Sequence, residues 1–529
     1  MLKNLVFVIK VTQDFICHTE KEIRNNTIAL TKLYDLVSNV YIPFLNIFEK
    51  FEKENLNCKV GFVIPPVFCN MLSDPIIQDD YLEYLQKRID FGANELKRNQ
   101  DEKIQQIIKD SIKRYSDLKS DFVEKYNKNI ISSFAYYQKK GYAEILATCG
   151  TDLFVPHYSE MKEIISAQIE CGLHSYKQFF GEVPEGFWLP EMGYVPGVEK
   201  LIKAYGFTYT ILDTRSILFS QEIPSSGIFY PLRTANSLVV FARDFKTHEE
   251  IFEQDGLSLA EVYRNENKDV GFELEFDQLN PVVEKDGVRI PTGYKYWNKR
   301  YNDKENSLYD VASANAQAEK DAETFLKIKS EKLKKASELL SDKDFVCLFE
   351  IFDAYEISQN WYEAPLWFEN VIRKAGNFGL NIATGDSMLE NQYNLEKITP
   401  YYAALTGHGY GENLLSNKNN WMVRYIHKMS ERMIDLADRF PIDTGLKNRL
   451  LNLGAKELMM GQSLGLARMI EEGDNPDFAE RRFKECVKNF TQIFDSLGSN
   501  TVSTEWLTEL EAKDSIFPWM NYRIFSRKL

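Results

Sequence analysis

Phe345-Val346-Cys347-Leu348-Phe349-Glu350-Ile351-Phe352 is a nearly unbroken apolar run that ends on a carboxylate, Asp353. Such a run suits a strand buried on both faces of a parallel sheet. Comparable runs recur at Leu5–Val11, Lys59–Pro65, Ala143–Cys149, Gly186–Pro190, Tyr209–Asp213, Leu238–Ala242 and Leu380–Thr384. Longer helix-periodic stretches, among them Glu160–Phe180 and Val198–Tyr205, lie between them. This alternation predicts an α/β fold, either a closed barrel or a doubly wound sheet. A barrel absorbs much of a 529-residue chain as one unit.

Two regions break the rhythm. From Asp80 to Lys139 the chain is charged, helix-periodic and strand-free, most clearly over Asn94–Leu118, and reads as a helical insertion. From about Asn394 the strand pattern stops, and Trp421–Phe440, Lys447–Glu472 and Asp477–Leu497 read as three amphipathic helices. The expected organisation is a barrel over 1–393, with the insertion at 80–139, and an α-helical C-terminal domain over 394–529. The polar, turn-rich stretch Asn265–Tyr309 is expected over the barrel mouth.

In parallel α/β barrels the chemistry gathers where strands end at their C-terminal face. Carboxylates stand at two such ends: Asp353, and Glu191 after Gly186-Phe187-Trp188-Leu189-Pro190. Arg243 and Asp244 close the Leu238–Ala242 run, and Lys10, Thr12, Asp14 and Asp152 close two more. Two carboxylates across a cleft are what glycosidic bond chemistry requires: one attacks or activates water, and the other protonates the leaving oxygen. An acid at a strand end also serves as a helix cap or an ion-pair partner.

These segments resemble glycoside hydrolase family 57, and more closely its glucan-branching subgroup, nearly end to end. Trp188-Leu189-Pro190-Glu191-Met192-Gly193-Tyr194 looks like the family's W-L-P-E-C-x-Y, whose Glu is the nucleophile. Asp353 through Trp361-Tyr362-Glu363-Ala364-Pro365 is similar to D-T-E-L-F-G-H-W-W-Y-E-G-P, whose leading Asp is the general acid/base. Phe241-Ala242-Arg243-Asp244 resembles F-G-R-D, whose Arg touches substrate. Thr292-Gly293-Tyr294-Lys295-Tyr296 looks like T-G-x-K-Y, and Ile516-Phe517-Pro518-Trp519-Met520-Asn521-Tyr522-Arg523 is similar to the subgroup's I-F-P-x-x-D-Y-R. The resemblance implies an incomplete (β/α)7 barrel and a retaining mechanism on α-1,4-glucan, as in a branching enzyme or 4-α-glucanotransferase. It implies neither metal nor organic cofactor. Glu191 would be nucleophile and Asp353 acid/base, with Arg243, Trp188, Lys10, Asp152, His408 and Trp361 at the substrate.

The departures fall in the sugar-binding shell. The family's H-A-H reads Lys10-Val11-Thr12 here, and the His of T-H-G-Y-L-P is Asp152. The Asp of Q-x-S-D-W falls at Gly465, the tryptophan of S-S-W-G at His408, and a Gly of the flexible substrate loop at about Ala260. Two hypotheses therefore stand: a retaining α-glucan enzyme, or a non-catalytic relative that binds glucan or a protein partner. Lys10 beside Glu191 would supply a positive donor and lower the pKa of the nucleophile.

Composition narrows the partners. A net charge of −14 disfavours nucleic acid and anionic membranes, and a neutral polysaccharide is indifferent to it. The seven scattered cysteines include no C-x-x-C pair and fit a reducing, cytoplasmic setting. No secretory signal or run of 18 apolar residues is evident. The histidines lack H-x-x-x-H spacing, so no metal site is assigned. The Lys327–Lys335 stretch reads as a solvated helix face, and Met459 and Met460 as core.

Overall fold

The computed structural model describes residues 1–16, 26–283, 287–300, 307–389 and 394–527. Cys17, His18 and parts of the Asn265–Tyr309 stretch lie outside them. β1 (Leu2–Lys10) is the spine of the fold; its segment from Leu5 to Ile9 is wholly buried, as apolar side chains on both faces require. On one side it pairs in parallel with β2 (Val60–Val63), which pairs with β3 (Ala143–Leu146). On the other side it pairs along its whole length with β8 (Phe345–Asp353), from Leu2 opposite Phe345 to Lys10 opposite Asp353.

A second parallel set holds β4 (Gly186–Phe187), β5 (Tyr209–Leu212) and β7 (Val239–Ala242). Single parallel bridges, Ala147 to Phe187 and Arg243 to Phe349, join the two sets. Seven parallel strands thus form a ring with two weak seams, the incomplete (β/α)7 barrel that the family resemblance implies. The short β6 (Leu232–Arg233) runs antiparallel to β7, and β9 (Asn381–Ala383) pairs with β1 at Asn4–Val6.

The helices depart from the sequence reading at definite points. The insertion holds α1 (Pro75–Arg98) and α2 (Glu102–Ser120), so Asn94–Leu118 is broken. Asp101 makes the break, accepting bonds from the N–H groups of Lys103 (2.8 Å) and Ile104 (3.1 Å). β4 stops at Phe187, short of Pro190, which has no N–H to give a ladder. The helix expected over Glu160–Phe180 is α3 (Lys162–Phe180), and the 29-residue α4 (Val311–Leu339) packs on β8 and β1 from outside the barrel. Its Lys327–Lys335 stretch is the expected solvated face at the exposed Lys327, Lys334 and Lys335, and departs from it at Lys329 and Lys332. Lys329 is fully buried among Asp244 (2.9 Å), Glu250 (2.6 Å) and Glu350 (3.1 Å), and Lys332 also reaches Asp244 (2.6 Å). A run of lysines does not reveal acids that arrive from distant strands.

The C-terminal region is helical: α6 (Trp421–Arg439), α7 (Gly445–Gly461), α8 (Leu464–Glu472) and α9 (Pro476–Ser499), with α5 (Ala354–Asn360) earlier, directly after β8. The predicted helix Lys447–Glu472 is two helices, parted at Gln462-Ser463. Here the Leu464 N–H donates to the Asp152 carbonyl at 2.8 Å, and the Gln168 amide donates to Gln462 Oε1 at 2.9 Å. The break is where the helical region docks on the barrel loop after β3. Met459 and Met460 are buried as expected.

Candidate active site

Strand register sets the first half of the site. Lys10 and Asp353 are the last residues of β1 and β8 and stand directly opposite each other, so their side chains meet at the C-terminal rim. Lys10 Nζ lies 2.6 Å from Asp353 Oδ2. The other oxygen, Oδ1, caps α5 by accepting from the N–H groups of Tyr355 (2.8 Å) and Glu356 (3.3 Å). Asp353 thus fills the helix-capping role open to a strand-end acid while presenting one oxygen to the site.

Glu191 arrives on a constrained turn. Glu191 and Met192 both lie in the left-handed region, at φ 51° and 50°. Two consecutive non-glycine residues there cost about 1–3 kcal/mol each and persist only where the surroundings impose them. Upstream, the Trp188 N–H donates to the Ala147 carbonyl (2.7 Å) and Thr148 Oγ1 donates to the Trp188 carbonyl (2.9 Å). Downstream, the Leu405 N–H donates to the Glu191 carbonyl (2.6 Å).

Lys10 Nζ also lies 2.8 Å from Glu191 Oε1. One ammonium therefore bridges both carboxylates, and its two contacts laid end to end cap the separation of those oxygens below about 5.5 Å, the retaining distance. The sequence reading missed a second cation. Arg468 Nη2, on α8, lies 2.7 Å from the same Oε1. Periodicity through Lys447–Glu472 concealed the helix break that turns Arg468 inward; the polar Gln462-Ser463 step was the available signal.

Electrostatics follows from this crowding. Burial alone would push Glu191 up, but the Arg468 guanidinium and then the Lys10 ammonium hold it down at about 2. Burial opposes the charge on Lys10, yet Asp353 and Glu191 outweigh it and raise its pKa. Behind them sit two more acids. Asp152 is raised to about 7, chiefly by burial, against the Gln13 N–H that donates to it at 3.0 Å. Asp14 is raised to about 6, again chiefly by burial. Its Oδ1 is buried with no hydrogen-bond partner. Gly465 makes room for it, since a Cβ there would lie 2.1 Å from Asp14 Oδ2. A carboxylate from the β1 exit thus occupies space beside position 465.

Of the sequence-derived site residues, the structure gathers Lys10, Asp152, Glu191 and Asp353. Arg243 is drawn aside: its Nε donates to the fully buried Asp213 at 2.6 Å, beside Arg215. The His408 carbonyl accepts from Arg215 (2.6 Å), while its side chain is 98% exposed with Nε2 3.9 Å from Glu412 Oε1. Trp188 and Trp361, expected as sugar-stacking faces, lie in the core at 2% and 1% exposure. Trp361 packs on Trp367 at 5.1 Å, and Trp188 joins Val6, Val63 and Tyr209 inside the barrel. Ordinary core packing claims both indoles. Among the described residues no group of His, Cys, Asp and Glu is placed to hold a metal ion.

A parallel barrel with two carboxylates gathered on one ammonium at its C-terminal rim, their facing oxygens less than about 5.5 Å apart, fits a glycosidase-type protein. Residues 6–369 match the family described as Glycosyl hydrolase family 57, and this chain belongs to that family. Residues 425–525 match a second description, 1,4-alpha-glucan branching enzyme, C-terminal. A 1,4-alpha-glucan branching enzyme of Thermococcus kodakarensis is 23% identical over 92% of this chain and 73% of its own length. The crystal structure of the alpha-amylase AmyC of Thermotoga maritima superposes with a TM-score of 0.92 at 25% identity, covering all of both chains. That of a GH57-type branching enzyme of Pyrococcus horikoshii gives 0.88 at 21% identity, covering 100% of this chain and 98% of the other, and shares the fold. The chain is a branching-enzyme-like member of the family.

Proposed function

We propose that this protein is a retaining α-1,4-glucan transglycosylase of branching or chain-transfer type, with Glu191 as nucleophile and Asp353 as general acid/base. The observation that supports this reading is the shared Lys10 contact, which holds the facing oxygens of the two carboxylates within about 5.5 Å, a spacing compatible with retention. A Glu191 oxygen would attack the anomeric carbon while the glycosidic oxygen departs with a proton from Asp353. A second glucan hydroxyl, deprotonated by Asp353, would then displace Glu191. Glu191 is ionised throughout the neutral range, as a nucleophile requires. Lys10 must release Asp353 before it can carry a proton and before a sugar ring can stand between the acids. Branching-enzyme likeness of the C-terminal region and the glucan-branching activity for which the Thermococcus relative is named support α-glucan as partner. Cytoplasmic residence belongs to the same proposal: the six described cysteines are buried free thiols, and no described helix is long and apolar enough to cross a membrane. The barrel, insertion and C-terminal helical region are proposed as the domain plan.

One observation favours a second reading, a glucan-binding relative without turnover: Lys10 stands in the space between the reacting groups. Purified protein incubated with amylose beside Glu191→Gln, followed by debranching and chain-length analysis, decides between them. New branches or shifted chain lengths that vanish in the variant support the enzyme. Unchanged chains with retained glucan binding overturn it in favour of the second reading.

A further inference from the structure

Two cations meet one oxygen of Glu191, and they are not equivalent. Lys10 Nζ is divided between Glu191 Oε1 and Asp353 Oδ2, at 2.8 and 2.6 Å. Arg468 reaches Oε1 at 2.7 Å, and Glu191 is its one ion-pair partner among the described residues. A substrate ring between the two acids must displace Lys10, because that ammonium fills the gap. It need not displace Arg468, which approaches from α8 in the C-terminal region. Were Lys10 the only counter-charge, its departure would leave a buried carboxylate without a partner at the moment of attack, and such a group takes up a proton instead of acting as a nucleophile.

We propose that Arg468 is the positioning residue of the nucleophile: it keeps Oε1 engaged through the turnover while Lys10 lets go to admit the substrate. This rests on the reading of Glu191 as nucleophile. Its consequence is that a helix outside the barrel completes the reacting centre, so α8 serves the chemistry as well as the packing. Among the described residues, the other groups coupled to Glu191 are acids, Asp152 from the β3 exit and Glu472 from the end of α8, with Asp14 behind Asp152. None can replace Arg468 as a counter-charge. Burial is the largest influence on Glu191 and opposes its ionisation, with Arg468 the strongest opponent of that influence.

The test uses the full-length protein and the variants Arg468→Gln, Arg468→Lys, Lys10→Met and Glu191→Gln. The pH profile of kcat/KM on amylose reports the free enzyme, and that of kcat reports the substrate complex. Loss of Arg468 should raise the acid limb of both profiles by at least about one pH unit, a tenfold change in proton affinity. It should lower kcat more than it raises KM, and Arg468→Lys should restore most of the limb. Lys10→Met should move the acid limb of kcat/KM and leave that of kcat in place. An infrared titration gives a readout independent of turnover. The protonated carboxyl band of Glu191, identified by its loss in Glu191→Gln, should be strong near about pH 3 in Arg468→Gln and weak there in the parent protein. An unmoved kcat limb and a carboxyl band no stronger in Arg468→Gln overturn the assignment, as does a kcat limb that follows Lys10 instead. Full activity in Glu191→Gln overturns the reading of the nucleophile itself, while the infrared arm still decides whether Arg468 holds Glu191 ionised.

Discussion

Lys10 and Asp353 are register partners at the ends of two adjacent parallel strands, and the Lys10 ammonium sits 2.6 Å from the Asp353 carboxylate. The contact is set by the backbone, because any Lys at the end of β1 faces the residue at the end of β8. With Glu191 and Arg468 it forms a cluster of two cations and two anions, in which Lys10 and Glu191 are buried and Asp353 and Arg468 are partly exposed. Removing one partner of such a cluster leaves a buried charge uncompensated, at a cost of about 3–5 kcal/mol. Lys10→Met should therefore lower stability by that order at neutral pH, measured by denaturant unfolding. Protonating the stranded acids should relieve part of the loss, so the gap to the parent protein should narrow as pH falls below about 5.

A second prediction concerns Asp14 and Asp152. Their folded pKa values, about 6 and about 7, lie above the unfolded value of about 3.9. Between those limits the folded state binds more protons than the unfolded state, so both acids lower stability as pH rises from about 4 to about 7. Asp14→Asn and Asp152→Asn keep the size and remove the titration. Thermal melts at pH 5 and pH 8 should show each variant losing less between the two pH values than the parent protein. An equal loss would mean the acids are already ionised at pH 5.

Gly465 should be intolerant of any side chain while Asp14 is present. Its missing Cβ would meet Asp14 Oδ2 at 2.1 Å, well inside contact distance. Gly465→Ala should cost about 1–3 kcal/mol by overpacking. Adding Asp14→Ala removes the obstruction, so the double variant should be more stable than the sum of the single effects predicts. A coupling of at least about 0.5 kcal/mol in a double-mutant cycle is expected. Additive effects would place Asp14 elsewhere.

The barrel was legible because parallel strands buried on both faces must be apolar, and runs such as Leu5–Val11 and Phe345–Phe352 display that directly. The carboxylate pair was legible as candidates because Glu191 and Asp353 follow such runs, and their proposed roles came from the family resemblance. What stayed hidden depends on distant chain segments. Arg468 reaches Glu191 only because the helix breaks at Gln462-Ser463 to dock on Asp152, a tertiary bond that periodicity does not register. Trp188 and Trp361 look alike as motif aromatics and as core residues, and composition cannot tell which face of a strand exit or helix start they take. His408 sits on a loop whose backbone is fixed by Arg215 while its exposed ring lies only near Glu412 among the ion-pair partners of the described residues, a division that one-dimensional reading cannot make.

Lys329 offers the last prediction. It is fully buried on α4, yet it stays charged because burial, which would neutralise it, is outweighed by Glu350, Asp244 and Glu250. Glu350 is an acid inside the apolar β8, raised to about 7 by burial against the pull of Lys329. The two residues tie the outer helix to the strand that ends in Asp353. Lys329→Met should leave Glu350 facing Asp244 without a shared counter-ion and destabilise the fold by about 3–5 kcal/mol. Glu350→Gln in the same chain should recover part of that loss, because it removes one of the stranded charges. Denaturant unfolding of the single and double variants at pH 7–8 measures both steps. If Lys329→Met unfolds no more easily than the parent protein, the buried lysine does not hold α4 to the barrel and the helix is anchored by its apolar face alone.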